Sequence, residues 1–208
     1  MKVIIFGATG NIGKPLVLQA LTLGYSVTAF TRNRERSQDI EHDNLNIAEG
    51  NVLDEIAVEK AIKGHDAVIC VLGAGRKGTI RAQGTRNIIR GMRKTGVKRL
   101  ICQSTLGAGD SRGNLNFFWK YVMFGWYLKE AYRDHLLQEK YVTDSDLDWT
   151  LVRPGAFTDG KATGNFRHGF PPDDRSVTLK ISKADMAMFL LMQLQTDQYL
   201  KKTPGLSY

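Results

Sequence analysis

The sequence predicts an α/β fold with a doubly wound, mostly parallel sheet, helices on both faces and a small C-terminal loop or lid region. Apolar runs of four to six residues recur along the chain and are continuous rather than alternating, which is typical of strands buried on both faces. Segments with helical periodicity separate them. Because strand and helix alternate, the strands are expected to be parallel and joined by right-handed crossovers. The predicted strands are Val3–Phe6, Ser26–Phe30, Ala67–Leu72, Arg99–Cys102 and Trp149–Val152.

Three helices are predicted before residue 97. In each, apolar residues recur at helical spacing and a glycine is placed to end the helix. The first carries Pro15 in its first turn, where proline is tolerated. The terminating glycines are Gly24, Gly64 and Gly96.

The second half of the chain is less regular. Residues 106–115 are a predicted loop, and residues 117–137 are a predicted helix that breaks near Gly125. Residues 155–175 are rich in glycine and carry two adjacent prolines, which indicates a loop or a small lid. An edge strand is predicted at Val177–Leu179.

The last predicted helix runs from Ser182 to Leu194. Its start, Ser182-x-x-Asp185, resembles a capping box with Asp in place of the usual Glu or Gln. Apolar side chains on one face of this helix are expected to pack against the sheet.

Length and composition indicate one globular domain. The chain has 208 residues, of which 42% are hydrophobic and 24% are charged, a balance that excludes intrinsic disorder. We therefore predict a single domain over residues 1–208, with residues 106–145 and 155–181 on the substrate side. Cys70 and Cys102 both lie in apolar runs, which is typical of buried thiols in a reducing compartment, so a cytoplasmic protein is expected.

Charge and hydropathy limit the partners. The net charge is +8, which suits an anionic ligand, but the basic residues are spread and no nucleic-acid motif is present, so no nucleic-acid partner is expected. The longest apolar stretch, residues 116–128, contains Lys120 and is too short to cross a bilayer, so no membrane association is expected. The chain opens on Met1-Lys2 and a strand-like run, so no signal peptide is expected.

A glycine-rich loop lies between the first strand and the first helix, the context that a dinucleotide-binding loop requires. The first glycine permits a tight turn, the second lets the backbone approach a pyrophosphate, and the third lets helix and strand pack closely. The helix N-terminus adds unpaired N–H groups. The loop therefore predicts a dinucleotide site, the alternative being a glycine-rich turn without a ligand. Its sequence is Gly7-Ala8-Thr9-Gly10-Asn11-Ile12-Gly13, and the expected contacts are Gly7, Thr9, Gly10, Asn11 and Ile12.

The end of the second strand favours NADP(H) over NAD(H). An NAD-selective fold usually has Asp or Glu there to accept from the ribose 2′-hydroxyl. This chain has Thr31, followed by Arg32, Arg34 and Arg36. A guanidinium pairs with phosphate and stacks on adenine. We therefore predict NADP(H), the alternative being that these arginines are solvated loop charges.

Further groups follow the carboxyl ends of later strands, where a doubly wound sheet binds its ligand. Residues 50–52 are placed to edge an adenine, residues 72–75 are small enough for close approach, and residues 103–105 offer hydroxyls near a nicotinamide. The expected cofactor contacts here are Asn51, Val52, Leu72, Gly73, Ala74 and Thr105, with Pro154, Gly155, Ala156 and Phe157 after the following strand.

These motifs resemble those of the atypical short-chain dehydrogenase/reductases with NAD(P)-binding, NmrA-like Rossmann domains. The resemblance covers nearly the whole chain. Besides the glycine loop it includes Gly50–Val52, Gln83–Asn87, Gly96–Arg99, Leu147–Gly155 and Ile181–Ala187. The short length and Val71-Leu72-Gly73 look most like the biliverdin-IXβ reductase/flavin reductase group.

The resemblance implies an NADPH-dependent reductase of a planar conjugated acceptor, such as free flavin or a bilin. It implies that Arg32 and Arg36 contact the 2′-phosphate and that Ser104 is the active-site serine. Two alternatives stay open: a non-catalytic NmrA-like sensor of the dinucleotide's redox state, and an assembly or chaperone factor.

The sequence also departs from the family pattern. No tyrosine has a lysine four residues later, and the helix that would carry this proton-donating pair has Ala131 and His135. Ala156 stands where the flavin-reductase group has a histidine. These departures argue against alcohol oxidation. They are compatible with hydride transfer between stacked rings, which needs positioning more than a protein acid.

One segment of the chain is unusually rich in aromatic residues. Seven aromatic side chains fall within residues 117–127, more than one helix face buries. They predict a wall for a planar acceptor, a subunit contact in a weak homodimer of an otherwise monomeric protein, or packing on the sheet.

The four histidines lack the spacing of metal ligands, so no metal is expected. His135 is expected to be a surface or hydrogen-bonded residue rather than a proton donor.

Overall fold

The computed structural model describes residues 1–37, 40–76 and 78–208, and the side chains of these residues apart from 36 and 37. The described chain contains ten strands in two sheets. The strands are β1 (Lys2–Phe6), β2 (Ser26–Thr31), β3 (Leu45–Glu49), β4 (Ala67–Cys70), β5 (Arg99–Gln103), β6 (Asp148–Pro154), β7 (Ala156–Thr158), β8 (Arg167–His168), β9 (Lys180–Ser182) and β10 (Gly205–Ser207).

The main sheet confirms the predicted doubly wound topology. Its order is β3-β2-β1-β4-β5-β6-β10-β8, and every neighbouring pair is parallel except β10 and β8. Strands β7 and β9 form a separate parallel pair. The order reverses between β1 and β4, which opens a crevice at the carboxyl ends of these strands.

Helices cover both faces of the sheet, as predicted. One face carries α1 (Gly13–Thr22) and α5 (Lys183–Met192), and the other carries α2 (Glu55–Ile62), α3 (Ile80–Thr95) and α4 (Lys129–Thr143). Other helical elements are the 3-10 helices Arg34–Ser37 and Gly109–Asn114 and the π-helix Phe118–Tyr127. Within the described residues, no helix combines the length and apolarity needed to cross a membrane.

The core explains why the strands read as continuous apolar runs. In β1, Val3 and Ile5 pack under α1 and α5, whereas Ile4 and Phe6 pack under the helices of the opposite face. All four are fully buried. A strand buried on both sides has no solvent-facing positions, so polar residues do not alternate with apolar ones. Cys70 and Cys102 are free and buried, as expected.

Among the elements that differ from the prediction are a helix and an edge strand in the second half of the chain. The helix predicted over residues 117–137 breaks at Leu128 rather than near Gly125, because the π-helix ends there and the Leu128 N–H bonds to the Met123 carbonyl at 2.6 Å. The edge strand predicted at Val177–Leu179 lies at Lys180–Ser182 instead. Leu179 has a φ of +61°, which interrupts an extended backbone.

The capping box at the start of α5 is half formed. The Ser182 hydroxyl accepts from the Asp185 N–H at 2.9 Å, as predicted. The Asp185 carboxylate, however, accepts from the N–H groups of Thr163 and Gly164 and from the Tyr208 hydroxyl. It therefore anchors the 155–175 segment and the C-terminus rather than the Ser182 backbone.

Candidate functional site

A cavity of about 560 Å³ lies at the carboxyl ends of the central strands. It brings together most of the residues that the sequence singled out. Those lining it are Gly7, Thr9, Gly10, Asn11, Ile12, Arg32, Val52, Leu72, Gly73, Ser104, Thr105, Pro154, Gly155, Ala156 and Phe157.

Two predicted contacts lie elsewhere. The Asn51 side chain does not line the cavity; its oxygen accepts from the Leu53 N–H at 3.1 Å in a local turn. Ala74 is also outside the lining and packs against Gly78, where a β-carbon would overlap it. The prediction for Arg36 concerns a side chain outside the described residues.

We call the part of the cavity around the glycine loop the glycine half; it comprises Gly7, residues 9–12, Arg32, Val52, Leu72 and Gly73. Gly7 has a φ of +89°, and a β-carbon there would lie 2.5 Å from the Val71 carbonyl oxygen. A β-carbon on Gly13 would overlap the Gly7 carbonyl oxygen. The loop therefore holds α1 tightly against β1 and β4, as the glycine spacing predicts.

The start of α1 is suited to an anion. No side chain of the described structure caps this helix, and its first turn carries no acidic residue. Its N-terminal N–H groups and its dipole therefore favour a negative ligand. Arg32 is exposed and lines the same half, and the described lining residues include no carboxylate. The electrostatics of this half suit a phosphate-bearing ligand.

Ser104 lies beyond the end of β5, between the glycine half and the rest of the cavity. It is 1% exposed, and its N–H donates to the Val152 carbonyl at 2.8 Å. Its hydroxyl has no hydrogen-bond partner among the described residues, and the same is true of the Gln103 side-chain oxygen. Buried polar atoms are normally paired, so an unpaired hydroxyl in a cavity wall indicates a ligand group. The glycine loop and this hydroxyl together fit a bound dinucleotide.

The opposite side, which we call the aromatic half, is lined mainly by apolar side chains. The π-helix contributes Trp119 and Phe124, whose ring centroids are 5.7 Å apart. Phe124 also stacks on Tyr132 at 4.7 Å, and the Tyr132 hydroxyl donates to the Gly107 carbonyl at 2.9 Å. Other residues that line this half are Ile80, Arg81, Leu106, Leu115, Leu128, His135 and Leu179.

The aromatic side chains of residues 117–127 lie on two different surfaces. Trp119 and Phe124 line the cavity. Phe117, Tyr121 and Trp126 are instead exposed, Phe117 by 74% and Trp126 by 77%. The π-helix therefore presents aromatic side chains both to the cavity and to the outside.

Arg81 and His135 line the wall and were not predicted as site residues. Arg81, in the first turn of α3, is 8% exposed, and His135, on α4, is 9% exposed. The Asp134 carboxylate accepts from the N–H groups of Arg81 and Ala82, both at 3.0 Å, and lies 3.4 Å from the Arg81 guanidinium. A helix-starting arginine carries no sequence signal for a site, because its role depends on a carboxylate far along the chain.

The environment of His135 makes it a neutral, fixed side chain. Its Nδ1 lies 3.2 Å from the Gln138 side-chain oxygen, which bears out the expected hydrogen-bonded histidine. Burial, and secondly the nearby positive charge of Arg81, lower the pKa of His135 from 6.5 to about 3. At neutral pH the imidazole is therefore uncharged and is no source of a proton.

A buried ion pair between Arg153 and Glu139 lies next to the aromatic half. The Arg153 guanidinium, at the end of β6, binds both carboxylate oxygens of Glu139 on α4, at 2.9 and 2.7 Å. It also contacts Asp110 in the loop after β5. Arg153 and Glu139 are both buried. This pair ties α4 to the sheet next to the cavity.

A doubly wound sheet with a glycine cradle at its switch point is the fold of NAD(P)-binding oxidoreductases. Comparison with known proteins identifies the family: the NAD(P)H-binding domain family matches residues 7–197. The chain belongs to this family. The resemblance to atypical short-chain dehydrogenase/reductases is thereby confirmed, and so is the expectation of a nicotinamide dinucleotide cofactor.

Individual relatives extend along the whole chain. The chain is 30% identical to the UPF0659 protein YMR090W of Saccharomyces cerevisiae, over 99% of this chain and 92% of that one. The structure of the oxidoreductase ylbE from Lactococcus lactis matches 100% of this chain and 90% of its own, with a TM-score of 0.86 and 26% identity. ChuY, an anaerobillin reductase from Escherichia coli O157:H7, matches 100% and 97% with a TM-score of 0.83, and at 23% identity this likeness shows the fold.

Proposed function

We propose that this protein is an NADPH-dependent reductase of a planar conjugated acceptor, most simply free flavin or a bilin. The observation that carries the proposal is the composition of one cavity. Its glycine half offers backbone N–H groups and Arg32 to a dinucleotide, and its aromatic half offers Trp119 and Phe124 to a flat ring. The unpartnered Ser104 hydroxyl lies between them.

Each half has its own task in this proposal. The glycine loop and the start of α1 hold the pyrophosphate, and Arg32 pairs with the 2′-phosphate. The bound dinucleotide supplies the hydride. The Ser104 hydroxyl orients the reacting groups by hydrogen bonding, and the apolar wall excludes water and holds the acceptor ring flat.

The missing tyrosine–lysine pair is consistent with this reaction. Of the residues at the matching positions, Ala131 has no ionisable group that could donate a proton, and His135 is neutral because its pKa is lowered. Hydride transfer between stacked rings depends on positioning, and the accompanying proton can come from water. The oxidoreductase ylbE and the reductase ChuY, whose folds match this one, support a reductase without proving its acceptor.

Steady-state kinetics with NADPH and excess flavin test the proposal. Ser104→Ala is expected to lower kcat roughly ten- to a hundredfold, about 1.4 to 2.7 kcal/mol of transition-state stabilisation. Ser145→Ala is the matched control, because Ser145 is also buried but bonds to the Val142 carbonyl at the end of α4. Wild-type rates equal to the uncatalysed rate, with both flavins and quinones, would contradict the proposal.

The exposed aromatic residues favour one alternative, a non-catalytic NADP(H)-binding sensor. Phe117, Tyr121 and Trp126 would then form its contact with a second subunit or a partner protein. This alternative requires tight NADPH binding without turnover of any acceptor. A titration of NADPH, followed by the same kinetic assay, separates the two functions.

A further inference from the structure

Arg81 and His135 form a small polar patch in a cavity wall that is otherwise apolar. Their neighbours in the lining include Ile80, Phe124 and Leu128. Both residues are more than nine-tenths buried, and the proposed hydride transfer uses neither. Both line the cavity, so hydrogen-bonding positions of theirs that the protein leaves free are open to a ligand there.

The hydrogen-bond network fixes which nitrogen of His135 carries the proton. Gln138 donates its amide N–H groups to the Thr85 hydroxyl at 2.9 Å and to the Cys102 sulfur at 3.3 Å. Its oxygen therefore faces His135, and Nδ1 must be the donor in that contact. In the neutral ring Nε2 is then an acceptor, and the described residues make no hydrogen bond to it. A lone pair points away from Gln138 on a side chain that lines the cavity.

Arg81 supplies the complementary donor. Its Nη1 donates to the Gly78 carbonyl and to Asp134, both at 3.4 Å, and its Nη2 donates to the Gly75 carbonyl at 3.3 Å. A guanidinium carries five N–H groups, so donors remain for a ligand. The Asp134 carboxylate accepts from the backbone N–H groups of Arg81 and Ala82, which holds α3 and α4 together and fixes Arg81 beside His135.

We propose that Arg81 and His135 form a polar subsite that binds the lactam or imide edge of the planar acceptor. Nε2 of His135 accepts from a ring N–H, and Arg81 donates to the adjacent carbonyl oxygen. The subsite rests on the proposed function and specifies its substrate class. A flavin and a bilin carry such an edge, whereas a quinone has carbonyls but no N–H, and it leaves the His135 lone pair unpaired.

A pair of ligands tests this subsite on the unaltered protein. Lumiflavin and its N3-methyl derivative differ at the imide nitrogen, so flavin fluorescence quenching by the protein with NADP⁺ compares them without a folding change. Lumiflavin is expected to bind roughly tenfold more tightly, the effect of one lost hydrogen bond to a buried acceptor. In His135→Leu the two ligands are expected to bind alike. His65→Leu, which changes a histidine outside the cavity lining, is expected to keep the wild-type ratio.

The outcomes separate the subsite from the proposed function. Equal binding of the two flavins to the wild type, alongside flavin-dependent NADPH oxidation, overturns the subsite alone. A tenfold preference that disappears in His135→Leu, without NADPH oxidation, supports the subsite and overturns the reductase. A preference that persists in His135→Leu overturns the assignment to His135, and binding of neither flavin overturns both proposals.

Discussion

The glycine half and the aromatic half of the cavity are built in different ways. The glycine half depends on one short loop, in which missing side chains let the backbone of β1, α1 and β4 approach closely. The aromatic half depends on side chains from separate segments, held by the Arg153–Glu139 pair and by Asp134. Close backbone approach thus builds the glycine half, and side chains from distant segments build the aromatic half. Each of the following substitutions is aimed at one half.

The largest effect is expected from Arg153→Met, which acts on the support of the aromatic half. It leaves the buried Glu139 carboxylate without its partner, and breaking such a pair costs roughly 3 to 5 kcal/mol in the free energy of unfolding. Urea denaturation measures this loss. Arg133→Met, which removes an exposed pair with Glu130, is expected to cost less than about 1 kcal/mol. Equal effects of the two would show that the buried pair has no special role.

Gly13→Ala tests the glycine half. The added β-carbon overlaps the Gly7 carbonyl, so helix and loop must separate, at a cost of roughly 1 to 3 kcal/mol. NADPH affinity is expected to fall as well, because the loop shifts. Gly125→Ala, in the π-helix, is the control, since its β-carbon would lie 3.5 Å from the nearest atom, an ordinary contact. Thermal unfolding and an NADPH titration of both variants make the comparison.

The pH dependence of stability tests the burial of His135. Its pKa falls from 6.5 to about 3 on folding, so the unfolded chain takes up the proton first and stability declines as the pH falls below 6.5. Between pH 7 and pH 5 this histidine alone is expected to remove about 2 kcal/mol. His135→Leu should flatten that part of the profile. An identical slope in His135→Leu would contradict the buried neutral ring.

The smallest effect concerns cofactor choice in the glycine half. Arg32→Ala is expected to weaken NADPH binding about tenfold, roughly 1.4 kcal/mol, with little change for NADH, which lacks the 2′-phosphate. Arg34→Ala is the matched control, because Arg34 is exposed and lies outside the cavity lining. Calorimetry with both dinucleotides measures the four affinities. An equal loss of affinity for NADPH and NADH would show that Arg32 does not recognise the 2′-phosphate.

The two halves also differ in how far the sequence predicted them. The Gly7–Gly13 loop, the strand ends at residues 72–73 and Ser104 were all identified from the chain, and they meet in one cavity. Their signal is local: a glycine at a fixed spacing or a polar residue after an apolar strand marks its own position. The order of the parallel strands then brings these positions to one edge of the sheet.

By itself, the sequence therefore determined the doubly wound sheet, the glycine cradle and the absence of a tyrosine–lysine pair. Only the tertiary structure decided that Arg81 and His135 share a wall, since that depends on Asp134 bonding to the start of α3, 53 residues away in the chain. It also decided which aromatic side chains face the cavity, because a π-helix turns its residues differently from the α-helix that the pattern predicts. Contacts between distant segments result from packing, and so does the burial that lowers the pKa of His135. Local spacing in the sequence encodes neither.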